Sequence, residues 1–108
     1  MRRGADGLLV STTVFDAATK HELVLIRCAC RHWATHDPHG LWWLCYKRGW
    51  EGHFELLKPR FYCTRCYAVA RERRRPVSIE GQQKGEATIT LPMPPEREWK
   101  RALKRVRT

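Results

Sequence analysis

Two short runs decide how this chain folds: Leu23-Val24-Leu25-Ile26-Arg27-Cys28-Ala29-Cys30-Arg31-His32 and, further on, Arg60-Phe61-Tyr62-Cys63-Thr64-Arg65-Cys66. Each places a pair of cysteines straight after residues suited to an extended segment. A tight turn aims both sulfurs of such a pair at one point, and two pairs together make the four-thiolate tetrahedron that structural zinc prefers. The spacing therefore predicts one structural Zn²⁺ held by Cys28, Cys30, Cys63 and Cys66. The first pair has a one-residue spacer, which strains the shared turn, so His32 stands as the substitute ligand, with His36 and His39 further candidates. A lone C-x2-C is also a redox motif. The second pair at a second strand end favours metal instead.

Working outward, residues 38–48 form the clearest helix. Asp37 is its N-cap, Pro38 its first residue and Gly49 its terminator, while Leu41, Leu44 and Cys45 share one face that Trp42, Trp43 and Tyr46 widen. Cys45 on that face reads as a small hydrophobe. Residues 51–58 suggest a turn or short helix. Residues 60–62 are expected as a strand into the second pair and residues 67–69 as its return strand, giving two knuckles on short antiparallel hairpins. The expected fold is a small α+β domain stapled by metal, a zinc ribbon with a helical insertion at 38–48 and a C-terminal amphipathic helix.

The remainder divides into flanks. Residues 1–18 read as a basic arm whose run Leu8-Leu9-Val10-Ser11-Thr12-Thr13-Val14-Phe15 could form an edge strand, and residues 19–70 as the ribbon domain. Residues 71–93 read as a basic and polar linker with a short strand at 86–91, where Glu86-Ala87-Thr88-Ile89-Thr90-Leu91 alternates. Residues 94–108 open with Pro94-Pro95 and continue as a basic amphipathic helix with Trp99, Leu103 and Val106 on one stripe.

With 108 residues and a formal charge of +10, the chain has room for one domain and favours acidic partners. So short a core ordinarily needs a staple, and bound metal would supply its folding free energy, leaving the apo chain largely unfolded. The five cysteines follow no secretory leader, and no run approaches the roughly 18–20 apolar residues of a membrane span. The chain is thus expected in the cytoplasm, with reduced thiols. Four thiolates and one divalent ion lower its net charge by two, and Arg31 and Arg65 inside the pairs partly offset the charge of the site.

Cys30-Arg31-His32, a following helix and then Arg60-Phe61-Tyr62-Cys63-Thr64-Arg65-Cys66 resemble a group of short bacterial zinc-ribbon proteins of uncharacterised function. The likeness covers about residues 23–70, with a looser echo in Pro94-Pro95-Glu96-Arg97-Glu98-Trp99-Lys100-Arg101. It departs where Arg27 stands in place of the first cysteine of that pattern and Cys28 takes over. The resemblance implies a ribbon and is silent on activity.

Four thiolates leave a metal no open position for substrate, and the chain has no phosphate-binding glycine loop, no nucleophile elbow and no deaminase H-x-E. An enzyme is not expected. Nucleic acid is the expected partner, with phosphates met by Arg60, Arg65, Arg71, Arg73, Arg74, Arg75, Lys100, Arg101, Lys104 and Arg105 and bases stacked on Tyr62 and Tyr67. The alternative is a protein adaptor. Its tryptophan-rich face or the Trp99, Leu103 and Val106 stripe would dock on a partner, unless that stripe packs on its own domain.

Overall fold

The computed structural model describes residues 2–3, 9–83 and 85–107, and of 2–3, 9 and 106–107 the backbone alone. In chain order, β1 (Arg2–Arg3) pairs antiparallel with β2 (Leu9–Val10), and α1 (Val14–Thr19) follows directly. The expected edge strand over 8–15 is therefore cut short. Thr13 caps α1 through a capping box: its hydroxyl accepts from the Asp16 amide, and the Asp16 carboxylate accepts from the Thr13 amide. The Thr-x-x-Asp signature is visible in the sequence, and it outweighs the β-branched run that suggested a strand.

Then come β3 (Leu23–Arg27), β4 (Trp33–His36), α2 (Pro38–Arg48), α3 (Phe54–Leu57) and a single 3₁₀ turn, Lys58–Arg60. The Asp37 carboxylate accepts from the His39 and Gly40 amides, Pro38 opens α2, and Gly49 closes it at φ 69°. The chain continues into α4 (Thr64–Ala70), β5 (Ser78–Gln82) and α5 (Glu96–Arg107).

β3 is the middle of a three-stranded antiparallel sheet, flanked by β4 and β5. Its register places Val24 opposite His36 on one side and Gly81 on the other. Gly81 is needed at that point, because a Cβ there would lie 2.6 Å from the buried Glu22 carboxylate, which itself accepts from Ser11 Oγ at 2.6 Å. Val14, Ala17, Val24, Leu41, Cys45, Phe54, Leu57 and Ile79 form the main core between the sheet, α1, α2 and α3. A second, separate cluster consists of Cys28, Cys63 and Cys66, with Cys30 against it.

Two expected strands are corrected. Residues 60–62 and 67–69 form no hairpin: the first is a 3₁₀ turn running into extended coil, the second lies inside α4. Residues 67–69 lie in a helix instead, because Cys63 caps its start with the sulfur accepting from the Cys66 amide. The strand expected at 86–91 is likewise displaced to Ser78–Gln82, within what read as a linker. Residues 86–91 instead run beside the outer edge of β4, tied by Thr88 and Thr35 exchanging hydrogen bonds and by one parallel bridge from Ile89 to His36. Threonine side chains add to the backbone bonds that the Thr88 and Ile89 amides donate to the Thr35 carbonyl there.

No helix of the described residues is long and apolar enough to cross a membrane.

Candidate metal centre

The first cysteine pair sits on the hairpin between β3 and β4. The Cys28 amide donates to the His32 carbonyl at 2.9 Å, and the Arg31 amide donates back to Cys28 at 3.0 Å. Arg31 takes the left-handed conformation, φ 75°. This is the three-residue hairpin loop whose last residue is left-handed, a position usually given to glycine. The loop resolves the strain expected of a one-residue spacer: Arg31 absorbs the turn, and both sulfurs stay on one side.

The second pair is held differently. Cys63 is the N-cap of α4, its sulfur accepting from the Cys66 amide at 3.4 Å, and Cys66 faces inward from the first turn. The Cys63 amide donates to the Arg74 carbonyl at 2.9 Å, which folds the exit of α4 back beside its entrance. Arg71 ends the helix at φ 56°. A helix N-terminus has unpaired amides and the positive end of the dipole, and both favour thiolates. One hairpin and one helix start thus replace the two hairpins expected of a ribbon.

The four sulfurs lie within 4.8 Å of one another. A tetrahedron with metal–sulfur bonds of about 2.3 Å has edges of about 3.8 Å. Cys28 to Cys66 measures 3.8 Å and Cys30 to Cys63 measures 3.6 Å, both across the two pairs. A disulfide needs about 2.05 Å, so all four thiols are free. The cluster fits a metal ion. His32 lies outside it and contributes its backbone instead: hydrogen bonding at the His32 amide pulls the Cys30 thiol down to about 7. Burial, followed by the neighbouring thiols, pushes Cys66 up to about 12, and burial raises Cys28 as well. Crowded thiols resist losing protons one by one, and a cation replacing those protons removes the conflict.

Charge near the centre comes from Arg65 in the first turn of α4 and from Arg74 beyond its end. Arg65 and Arg74 line the same shallow surface as Cys30 and Cys66, with Arg74 also paired to Glu72 at 3.1 Å. The charge of Cys66, then that of Glu72, raises the Arg74 pKa. Arg74 thus stands with Arg65 beside Cys30 and Cys66, a placement that spacing alone did not single out.

Beside the centre lies an arginine and tyrosine surface. The Tyr62 and Tyr67 rings are 5.6 Å apart, and Arg73 lies over both, 5.7 Å and 5.8 Å from their centroids. Arg71 covers Tyr67 at 5.3 Å. Arg75 donates to the Phe61 carbonyl at 3.1 Å, and Arg60 lies over Trp50 at 5.4 Å. The cations of α5 sit elsewhere. Trp99 packs on Trp42 at 5.1 Å, His39 at 4.8 Å and Phe15 at 5.5 Å, which seats α5 against α1 and α2. Lys100 and Arg101 are exposed there and pair with Glu96 and Glu98, while Lys104 and Arg105 are exposed. Leu103 is half-buried, and the Val106 side chain lies outside the described residues.

Cys45 is buried in the main core, where burial lifts its thiol to about 11. His36 and His39, the further ligand candidates, lie outside the cysteine cluster: His39 packs on Trp99, and His36 is buried with its Nδ1 lacking a partner among the described residues. No family model, curated protein or solved structure is significantly similar to the chain.

Proposed function

We propose that Cys28, Cys30, Cys63 and Cys66 bind one structural Zn²⁺ and that the centre positions a non-catalytic, nucleic-acid-binding surface in the cytoplasm. Zinc is supported by an all-thiolate donor set with tetrahedral edges, which suits an ion without redox or ligand-field demands. With four protein ligands the ion would have no open position, so its role is to hold the β3–β4 loop against α4.

The single observation that carries the nucleic-acid reading is the exposed set of guanidinium groups lying over Tyr62 and Tyr67, next to the cysteines. Rings give bases a face to stack on, arginines neutralise phosphate, and the formal charge of +10 favours approach. The adaptor reading is weaker, because Trp99, the main anchor of its stripe, is already committed to Phe15, His39 and Trp42.

Fluorescence anisotropy with labelled single- and double-stranded oligonucleotides across a salt series tests this. Binding should weaken linearly in log salt, by about 0.7 per phosphate contact for single strands. Arg71→Ala with Arg73→Ala should flatten that slope by about 1.4. Salt-insensitive binding, or none at low salt by zinc-loaded protein, refutes the reading.

A further inference from the structure

The four cysteines of the candidate centre are not equally reachable. Cys28, Cys63 and Cys66 are buried, at 5%, 6% and 9% exposure, whereas Cys30 is half-buried. Cys30 belongs to the turn between β3 and β4, just before the left-handed Arg31. With Cys66 it lines a hollow of about 220 Å³. Val69, Glu72 and two cations, Arg65 and Arg74, complete most of its wall.

The Cys30 sulfur lies 3.6 Å from that of Cys63, across the two pairs. A disulfide needs about 2.05 Å, so these sulfurs are about 1.5 Å short of a bond. Cys30 lies in a turn and Cys63 follows the extended coil at 61–62, so neither is pinned in a strand. A metal-bound thiol is already deprotonated, and the thiolate is the form that peroxides oxidise. Susceptibility also follows exposure. Of the four cysteines, Cys30 combines ligand geometry with an approach from solvent.

We propose that Cys30 is a modification site for hydrogen peroxide, and that its oxidation closes a Cys30–Cys63 disulfide and releases the metal. This rests on the zinc reading above and not on the nucleic-acid one. The Cys30 thiolate attacks one peroxide oxygen: an S–O bond forms, the O–O bond breaks, and the departing hydroxide takes a proton from water. Arg65 and Arg74, in the same hollow, are hydrogen-bond donors for that departing oxygen. The Cys63 thiolate then attacks the Cys30 sulfur. The S–S bond forms, the S–O bond breaks, and a second hydroxide leaves as water. The two thiolates lose two electrons, the peroxide gains them, and solvent supplies two protons. Cys28 and Cys66 are then too few to make a structural site. Cys63 caps α4 and Cys66 is its buried residue, so losing the metal loosens that helix. A thiol reductant with fresh zinc reverses the change.

The test treats zinc-loaded full-length protein with hydrogen peroxide. Zinc is measured before and after with a chromogenic chelator, and disulfides are mapped by peptide mass spectrometry. One zinc should leave per peroxide consumed, with Cys30 joined to Cys63 and Cys45, buried in the main core, still a free thiol. A sulfenic-acid trap added with the peroxide should label Cys30 ahead of the other cysteines. Cys30→His, which keeps a metal ligand but removes the thiol, should hold its zinc at peroxide levels that empty the wild type. Should that variant fail to load zinc, the mapping and trapping on wild type decide the matter. Zinc retained in excess peroxide, a first disulfide between Cys63 and Cys66, or first labelling of another cysteine overturns the proposal and leaves the zinc reading standing. If the protein holds no zinc before peroxide is added, the zinc reading fails and the proposal with it.

Discussion

Removing the proposed metal should melt one part of this protein and leave the other folded. The two buried clusters are separate, and they hold different elements. α4 has seven residues, of which Cys66 is the buried one. Isolated helices shorter than about 12–15 residues are marginal in water. With the proposed Zn²⁺ bound, Cys63 at its cap and Cys66 within it would secure α4, and a structural zinc is worth about 10–16 kcal/mol in small peptides. The main core does not pass through the cysteine cluster. Val14, Val24, Leu41, Phe54, Leu57 and Ile79 are all buried in it, and each such side chain contributes about 1.5–3 kcal/mol. That is metal-independent and of the same order as the zinc term. The separate core thus predicts local melting, where cysteine spacing and chain length alone lead to the expectation of a largely unfolded apo chain. Hydrogen exchange read by mass spectrometry, with and without a strong chelator, distinguishes the cases. In chelated protein, amides of 64–70 and of the 28–32 loop should exchange within about tenfold of the unfolded chain. Those of β3 and of α2 around Leu41 should keep most of their protection. Loss of all protection together would show that the metal holds the whole fold, and a protected α4 in chelated protein would show that the thiolates do not hold it. Either result refutes the reasoning.

Leu41 is fully buried, so Leu41→Ala should cost about 2–5 kcal/mol in urea unfolding, whereas Leu56→Ala, at a position 58% exposed, should stay within about 0.5 kcal/mol. Arg31 sits at φ 75°, so Arg31→Gly should stabilise the zinc-loaded protein by about 1 kcal/mol, read as a higher thermal midpoint with unchanged metal content. Burial holds the His36 pKa below its ordinary 6.5, with the nearby Val24 backbone opposing it. The unfolded chain then takes up a proton that the folded ring refuses. Stability is complete above 6.5 and falls as the pH drops towards the folded value, by at most about 1.4 kcal/mol per pH unit. Urea midpoints at saturating zinc should show that slope in wild type and a shallower one in His36→Gln. Trp99→Ala removes three ring contacts worth about 0.5–1.5 kcal/mol each, so limited proteolysis should release α5 from a protein whose α2 remains protected.

What the sequence determined by itself is local. Asp37, Pro38 and Gly49 mark both ends of α2, because capping is a matter of neighbouring backbone groups. The apolar run at 23–26 yields a strand, and the spacing of Cys28 with Cys30 and of Cys63 with Cys66 brings out the four thiols that the fold gathers. Thr13 and Asp16 carried a helix start of the same local kind, overlooked beneath a β-branched run. Tertiary structure decided the rest. Cys63-x2-Cys66 serves a hairpin or a helix start equally well, and in the folded chain it is a helix start, with the Cys63 sulfur accepting from the Cys66 amide. Residues 78–82 and 86–91 compete for the sheet. The first wins against β3, with Ile79 buried and Gly81 making room for Glu22, while the second is tied beside β4 by threonines. The cavity lined by Ile26, Ala34, Phe61 and Ile89 has no signature along the chain, because it arises where segments distant in sequence fail to close completely on one another.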